Sequence, residues 1–226
     1  MKSMNILTGL VLMGIAAATA HADDASFGRA QRKFDVTITN LTAGVSFTPL
    51  LVATHSARTE IFRLGKPASD ELATLAEGGD TQPLQMKLQQ SGELLDAVAT
   101  AGLLAPGASV TVRVQSRGRF DQLSIAGMLL PTNDGFVALN GIRLPWDWDA
   151  DEYTYTLSAY DAGSEPNDER CASIPGPHCG GIGGSPGIGG EGFVHIHSGI
   201  HGIADLSAAK YDWRNPVALV TIKRAR

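Results

Sequence analysis

Phe34, Val36 and Ile38 alternate with Asp35, Thr37 and Thr39, the two-residue period of a strand with one buried face. Val110, Val112 and Val114 repeat the pattern against Thr111, Arg113 and Gln115, and Tyr153, Tyr155, Leu157 and Ala159 form one face of another strand. Leu123 to Leu130 is largely apolar on both parities, as expected of a strand buried on both sides. Ser46 to Val52 is a further extended run, with Pro49 placing it at an edge or a bulge. Phe193 to His197 and Val217 to Lys223 complete a set of seven or eight strands. The period changes after the first two. Ser69 is suited to cap a short helix over Asp70 to Ala76, which Gly78-Gly79 would end. Two more short helical pieces are expected at Leu84 to Gln90 and Leu94 to Ala99. With no strand–helix–strand alternation to favour parallel pairing, the pattern predicts an all-β fold, a β-sandwich with a short helical insertion between early strands.

The N-terminus has the three parts of a secretory signal. Lys2 is the positive region, Ile6 to Ala18 the short apolar stretch, and Ala20-His21-Ala22 the small-x-small cleavage pattern. Residues 1–22 are therefore expected to be removed on export, placing the mature chain in the periplasm or outside the cell. Nothing later is long and apolar enough to span a bilayer. Cleavage leaves 204 residues, enough for one domain, with 17 basic residues against 23 acidic, a formal charge of −6. That balance argues against a nucleic-acid partner, which needs a basic surface to neutralise phosphates.

Compartment then decides how Cys171 and Cys179 are interpreted. A lone close pair in an oxidising environment points to a disulfide rather than a zinc site, for which only His178 lies between them. The bridge would tether the start of a low-complexity loop, Gly176 to Gly192, with nine glycines in seventeen residues. Two catalytic patterns in that loop fail on context. Gly183-Gly184-Ser185-Pro186-Gly187 spells G-x-S-x-G, but Pro186 lacks the N–H an oxyanion hole requires after the serine. Gly187 to Gly192 spells G-x-G-x-x-G but leads into a strand, with no helix N-terminus for a pyrophosphate. Asp147-Trp148-Asp149-Ala150-Asp151 starts like an EF-hand loop, yet Glu152 stands at its glycine position and Ser158 at its closing glutamate. No nucleophile–base pair is evident, and the chain is not expected to be an enzyme.

Two segments carry carboxylates where strands end: Pro131-Thr132-Asn133-Asp134-Gly135-Phe136, and Ala159-Tyr160-Asp161-Ala162-Gly163-Ser164-Glu165. If the strands are neighbours, Asp134, Asp161 and Glu165 converge at one rim. Like charges so placed call for a cation, and hard oxygen donors suit Ca²⁺. Turn-forming Asp and Asn at strand ends are the alternative.

At these residues the sequence resembles a family. Met128 to Phe136, Tyr160 to Glu165 and the closing Trp213-Arg214-Asn215-Pro216-Val217-Ala218 are similar to the spondin domain, the N-terminal module of F-spondin and mindin, which also stands alone in bacterial exported proteins. Val36 to Thr42, Ser46 to His55 and Gly65-Lys66-Pro67-Ala68-Ser69 extend the likeness, so that it spans about residues 34–224. The resemblance implies a C2-like β-sandwich with one calcium ion at its rim. The family's three aspartates, in P-S-P-D-W and D-A-G-T-D segments, fall on Asp134, Asp161 and Glu165, the last being Glu for Asp. It also implies a binding or adhesion module for an extracellular or envelope ligand, although no thrombospondin repeats follow here.

A rival site is His195-Ile196-His197 with His201. Residues two apart in a strand share a face roughly 6.5–7 Å apart, so two imidazoles could hold Zn²⁺ or Cu²⁺ with His201 as a third ligand, in a transition-metal protein or metal-dependent hydrolase. A polar strand face with no metal is the alternative.

Overall fold

The computed structural model describes residues 30–145, 152–184 and 189–225. The expected leader, the 147–151 acidic loop and Ser185-Pro186-Gly187 lie outside these residues. The described chain is all-β with short helices. The strands are β1 (Arg32–Asn40), β2 (Ser46–Phe47), β3 (Leu51–His55), β4 (Leu94–Ala99), β5 (Ser109–Ser116), β6 (Gln122–Leu130), β7 (Gly135–Arg143), β8 (Tyr153–Asp161), β9 (His195–Ile196) and β10 (Ala218–Arg224). Helices α1 (Asp70–Gly78) and α2 (Gln82–Gln90) lie between β3 and β4, and α3 (Ala208–Tyr211) precedes β10.

Pairing is antiparallel throughout, in the order β4-β3-β6-β7-β8-β10-β1-β5, with β2 against β6 and β9 against β8. β8 joins the two halves of this nearly closed sheet. Its first half, Tyr153 to Leu157, pairs with β10, and Ser158 to Asp161 pair with β7. The halves face each other across Phe34, Val36 and Ile38 of β1, Val220 and Ile222 of β10, Ile125 and Leu129 of β6, and Val137 of β7. This is the interior that the alternating positions predict.

The other face of β3, β6 and β7 is also dry. Leu51, Ala53, Ala126, Phe136 and Ala138 pack there against Leu72, Leu75 and Ala76 of α1 and Leu84 and Leu88 of α2. Ser69 caps α1 as expected, accepting the Leu72 N–H, and Gly79 closes the helix at φ 73°.

Two expectations are corrected. Leu94 to Ala99 is not a helix but β4, paired with β3 from Leu51↔Ala99 to Thr54↔Asp96. Six residues make fewer than two helical turns, whereas an open strand edge supplies backbone partners at once. The strand expected over Phe193 to His197 reduces to His195–Ile196. Pro49 does break the Ser46 to Val52 run, into β2 and β3.

Candidate metal centre

The β6–β7 connection begins at a cis Leu130–Pro131 peptide and folds around Thr132. The Thr132 hydroxyl donates to the Leu129 carbonyl at 2.6 Å and accepts the Gly135 N–H at 3.1 Å. This turn delivers Asp134 to the end of the sheet, where Gly135 pairs with Asp161 of β8. On the other side Asp161 pairs with His195 of β9, so these two side chains are direct cross-strand neighbours.

Asp134 and Asp161 are both fully buried. One oxygen of Asp134, Oδ2, accepts from the Ser164 N–H (2.7 Å), the Glu165 N–H (3.0 Å) and the Ser164 hydroxyl (3.2 Å). The other, Oδ1, has no hydrogen-bond partner among the described residues. Burial and the adjacent Asp161 push the Asp134 carboxyl up to about 7, against those three hydrogen bonds. Asp161 accepts from the Gly163 N–H at 2.8 Å and from Asn167 Nδ2 at 2.6 Å. Burial still raises its pKa. Glu165 is buried in the same turn and lends its backbone amide to Asp134.

The histidines divide. His195 Nε2 lies 3.5 Å from Asp161 Oδ1 and 3.5 Å from Glu191 Oε2. Asp161, Glu191 and His195 thus offer ligand atoms that all lie within 4.8 Å of one another. Partial burial would depress His195, but the Ile196 carbonyl and the two carboxylates raise it overall. His197 is buried against Trp213 at 4.9 Å between ring centres, and burial, reinforced by His195 and His201, lowers it to about 4. His201 is exposed and belongs to another contact, 3.8 Å from Glu169. His197 Nε2 lies 4.0 Å from Asp161 Oδ2, and Asp134 and Asp161 are coupled by charge.

Two carboxylates at this rim were not singled out in the sequence. Glu169, at φ 55°, is buried and accepts from three successive backbone amides: His201 at 2.6 Å, Gly202 at 2.8 Å and Ile203 at 2.9 Å. It pins the histidine loop to the β8 exit. Glu191 comes from the glycine-rich segment, which runs close along the 163–165 turn through Gly192 N–H to Gly163 O at 2.8 Å. A Cβ on Gly163 would stand 2.4 Å from the Phe193 carbonyl oxygen, and one on Gly190 2.4 Å from that of Glu165. Those glycines permit two backbones to touch, and that contact brings Glu191 to His195. Cys171 and Cys179 are joined as a disulfide at the start of this excursion, so their sulfurs are not thiolate ligands.

The family model described as Spondin_N matches residues 33–168. The chain belongs to the spondin N-terminal domain family. Comparison with curated proteins finds no match. The spondin match takes in Asp134, Asp161 and Glu165 but ends before Glu191, His195, His197 and His201. Membership carries the coarse reading of an extracellular binding module, and the disulfide agrees with an oxidising compartment. Among the described residues no helix is long and apolar enough to cross a membrane.

Proposed function

We propose that this spondin domain is exported to the periplasm or beyond, where it acts as a calcium-dependent binding or adhesion module for an extracellular or envelope ligand. It acts by association rather than catalysis. The observation that carries this reading is Asp134 Oδ1, a carboxylate oxygen buried without a hydrogen-bond partner beside the buried Asp161. A buried charge left uncompensated is costly. Oxygen donors from Asp134, Asp161 and Glu165 suit a calcium ion. The ion would neutralise the cluster and stiffen the 131–135 and 161–165 turns that present the binding surface.

Calcium binding to the folded state alone stabilises by mass action, about 2.7 kcal/mol at a hundredfold excess over the dissociation constant. On the purified exported chain, a chelator should lower Tm, and Ca²⁺ should restore it more effectively than Mg²⁺, which demands a tighter octahedral site. Asp134→Asn should abolish the response while preserving shape. A variant that responds like the parent would remove calcium from this rim.

A further inference from the structure

We propose that Asp161, Glu191 and His195 form a second cation site, for a divalent transition metal of the zinc class, built partly from residues beyond the spondin match.

The separations are those of ligands around an ion. At Zn–N and Zn–O distances of about 2.0–2.2 Å, two ligands at a tetrahedral angle stand roughly 3.3–3.6 Å apart. His195 Nε2 is 3.5 Å from each carboxylate, and this buried nitrogen has no hydrogen-bond partner among the described residues. Nδ1 lies 3.1 Å from the Ile196 carbonyl, which can only accept, so Nδ1 carries a proton and Nε2, facing the carboxylates, is the nitrogen a metal would take, displacing any proton there. A backbone carbonyl on the distal imidazole nitrogen is the usual outer support of a metal-bound histidine.

His197 has the opposite tautomer. Its Nδ1 accepts the Gly199 N–H at 3.0 Å, which leaves the proton on Nε2. That buried Nε2 has no hydrogen-bond partner and points at Asp161 Oδ2 from 4.0 Å. With its proton on Nε2, His197 has no lone pair to offer and is not itself a ligand, while Asp161 is oriented by the Gly163 N–H and Asn167. The second observation is Asp134, whose unpartnered, buried Oδ1 adds negative charge beside Asp161. Glu191 is the more exposed of the three, so water or a partner's donor group would complete a four-coordinate site from its side. Asp161 serves both ions, whereas His195 and Glu191 are unique to this one.

The test uses the exported chain stripped with chelator, titrated with zinc by calorimetry and, separately, with calcium by Tm. One zinc per chain is expected. His195→Ala and Glu191→Gln should each weaken zinc binding about a hundredfold and leave the calcium response intact. Asp134→Asn should abolish the calcium response and weaken zinc far less than either, since it removes a neighbouring charge and no zinc ligand. Cobalt in place of zinc should give the visible absorption of a four-coordinate site, lost in His195→Ala. An absence of stoichiometric zinc, or unchanged affinity in His195→Ala, would overturn the proposal and leave His195 as an imidazolium in an ion pair. Loss of zinc together with calcium in Asp134→Asn would overturn it too, since both metals would then occupy one site. Zinc binding without any calcium response would instead defeat the calcium reading alone.

Discussion

Beneath α1 and α2 the sheet presents Leu51, Ala53, Ala126, Phe136 and Ala138, buried against leucines. A few residues away, at the end of the same strands, equally buried positions hold Asn133, Asp134, Asp161, Glu165, Glu169 and His197. The first region is stabilised by non-directional removal of apolar surface from water. The second depends on directed bonds, because each dehydrated polar atom needs a partner. Glu169 has three amides on its two oxygens, while Asp134 leaves one oxygen without any. Within one rim, then, some carboxylates act as internal braces while another keeps an oxygen that no described residue serves.

That contrast can be broken from either side. The largest effect is expected in the apolar region: Leu72→Ala should cost about 2–5 kcal/mol, read from the urea midpoint. The calcium-induced rise in Tm should survive, since the rim is built by other loops. Next, Glu169→Gln replaces an acceptor of three charge-assisted bonds and should cost about 1.5–3 kcal/mol. Asp134→Asn in chelator should not be comparably destabilising, since it removes a charge that lacks compensation. Equal losses in the two variants would erase the distinction between brace and ligand.

The smallest effect concerns pH. His55 is buried, with Nδ1 donating to the Ser56 carbonyl at 2.9 Å and Nε2 accepting from the Ser124 hydroxyl at 2.7 Å. The same hydroxyl oxygen accepts the Gly141 N–H at 2.8 Å, beside the bulge between β6 and β7. Burial lowers the His55 pKa despite the Ser56 carbonyl. A depressed folded value means that its contribution is complete above the unfolded pKa of about 6.5 and is lost as pH falls toward the folded one. Stability should decline over that window, and His55→Gln should flatten the decline. An unchanged slope would take His55 out of the account.

Strands with one wet face were legible in the sequence, because the period of two survives in Phe34-Val36-Ile38 and Val110-Val112-Val114. Residues 135–143 gave no such signal. Phe136 and Ala138 serve the helix-covered face while Val137 and Leu139 serve the interior, so β7 is apolar on both parities. Leu94 to Ala99 was ambiguous for its shortness, and pairing with β3 decided it. At the rim, the turn chemistry of Asp134 and Asp161 was visible, and the structure makes them neighbours. His195 and His197 were placed on one face by a strand period that ends at Ile196. Glu191 had no signal beyond being the single charge in a glycine-rich stretch, since its position depends on two backbones meeting far apart in sequence.

The nearly closed sheet also bears on how this protein survives at high concentration. β4 and β5 are its two ends, and open ends recruit strands from other molecules, the first step toward fibrils. Here the two ends meet at one point. The Asp96 carboxylate of β4 accepts the Gln115 N–H of β5 at 2.8 Å, and the Thr54 hydroxyl of β3 donates to the Gln115 carbonyl at 2.5 Å. The backbone groups of Gln115, near the end of β5, are thus satisfied from within the same chain, and a neighbouring copy cannot pair with them. That self-contact withdraws part of the edge from the edge-to-edge pairing by which sheets of separate molecules join.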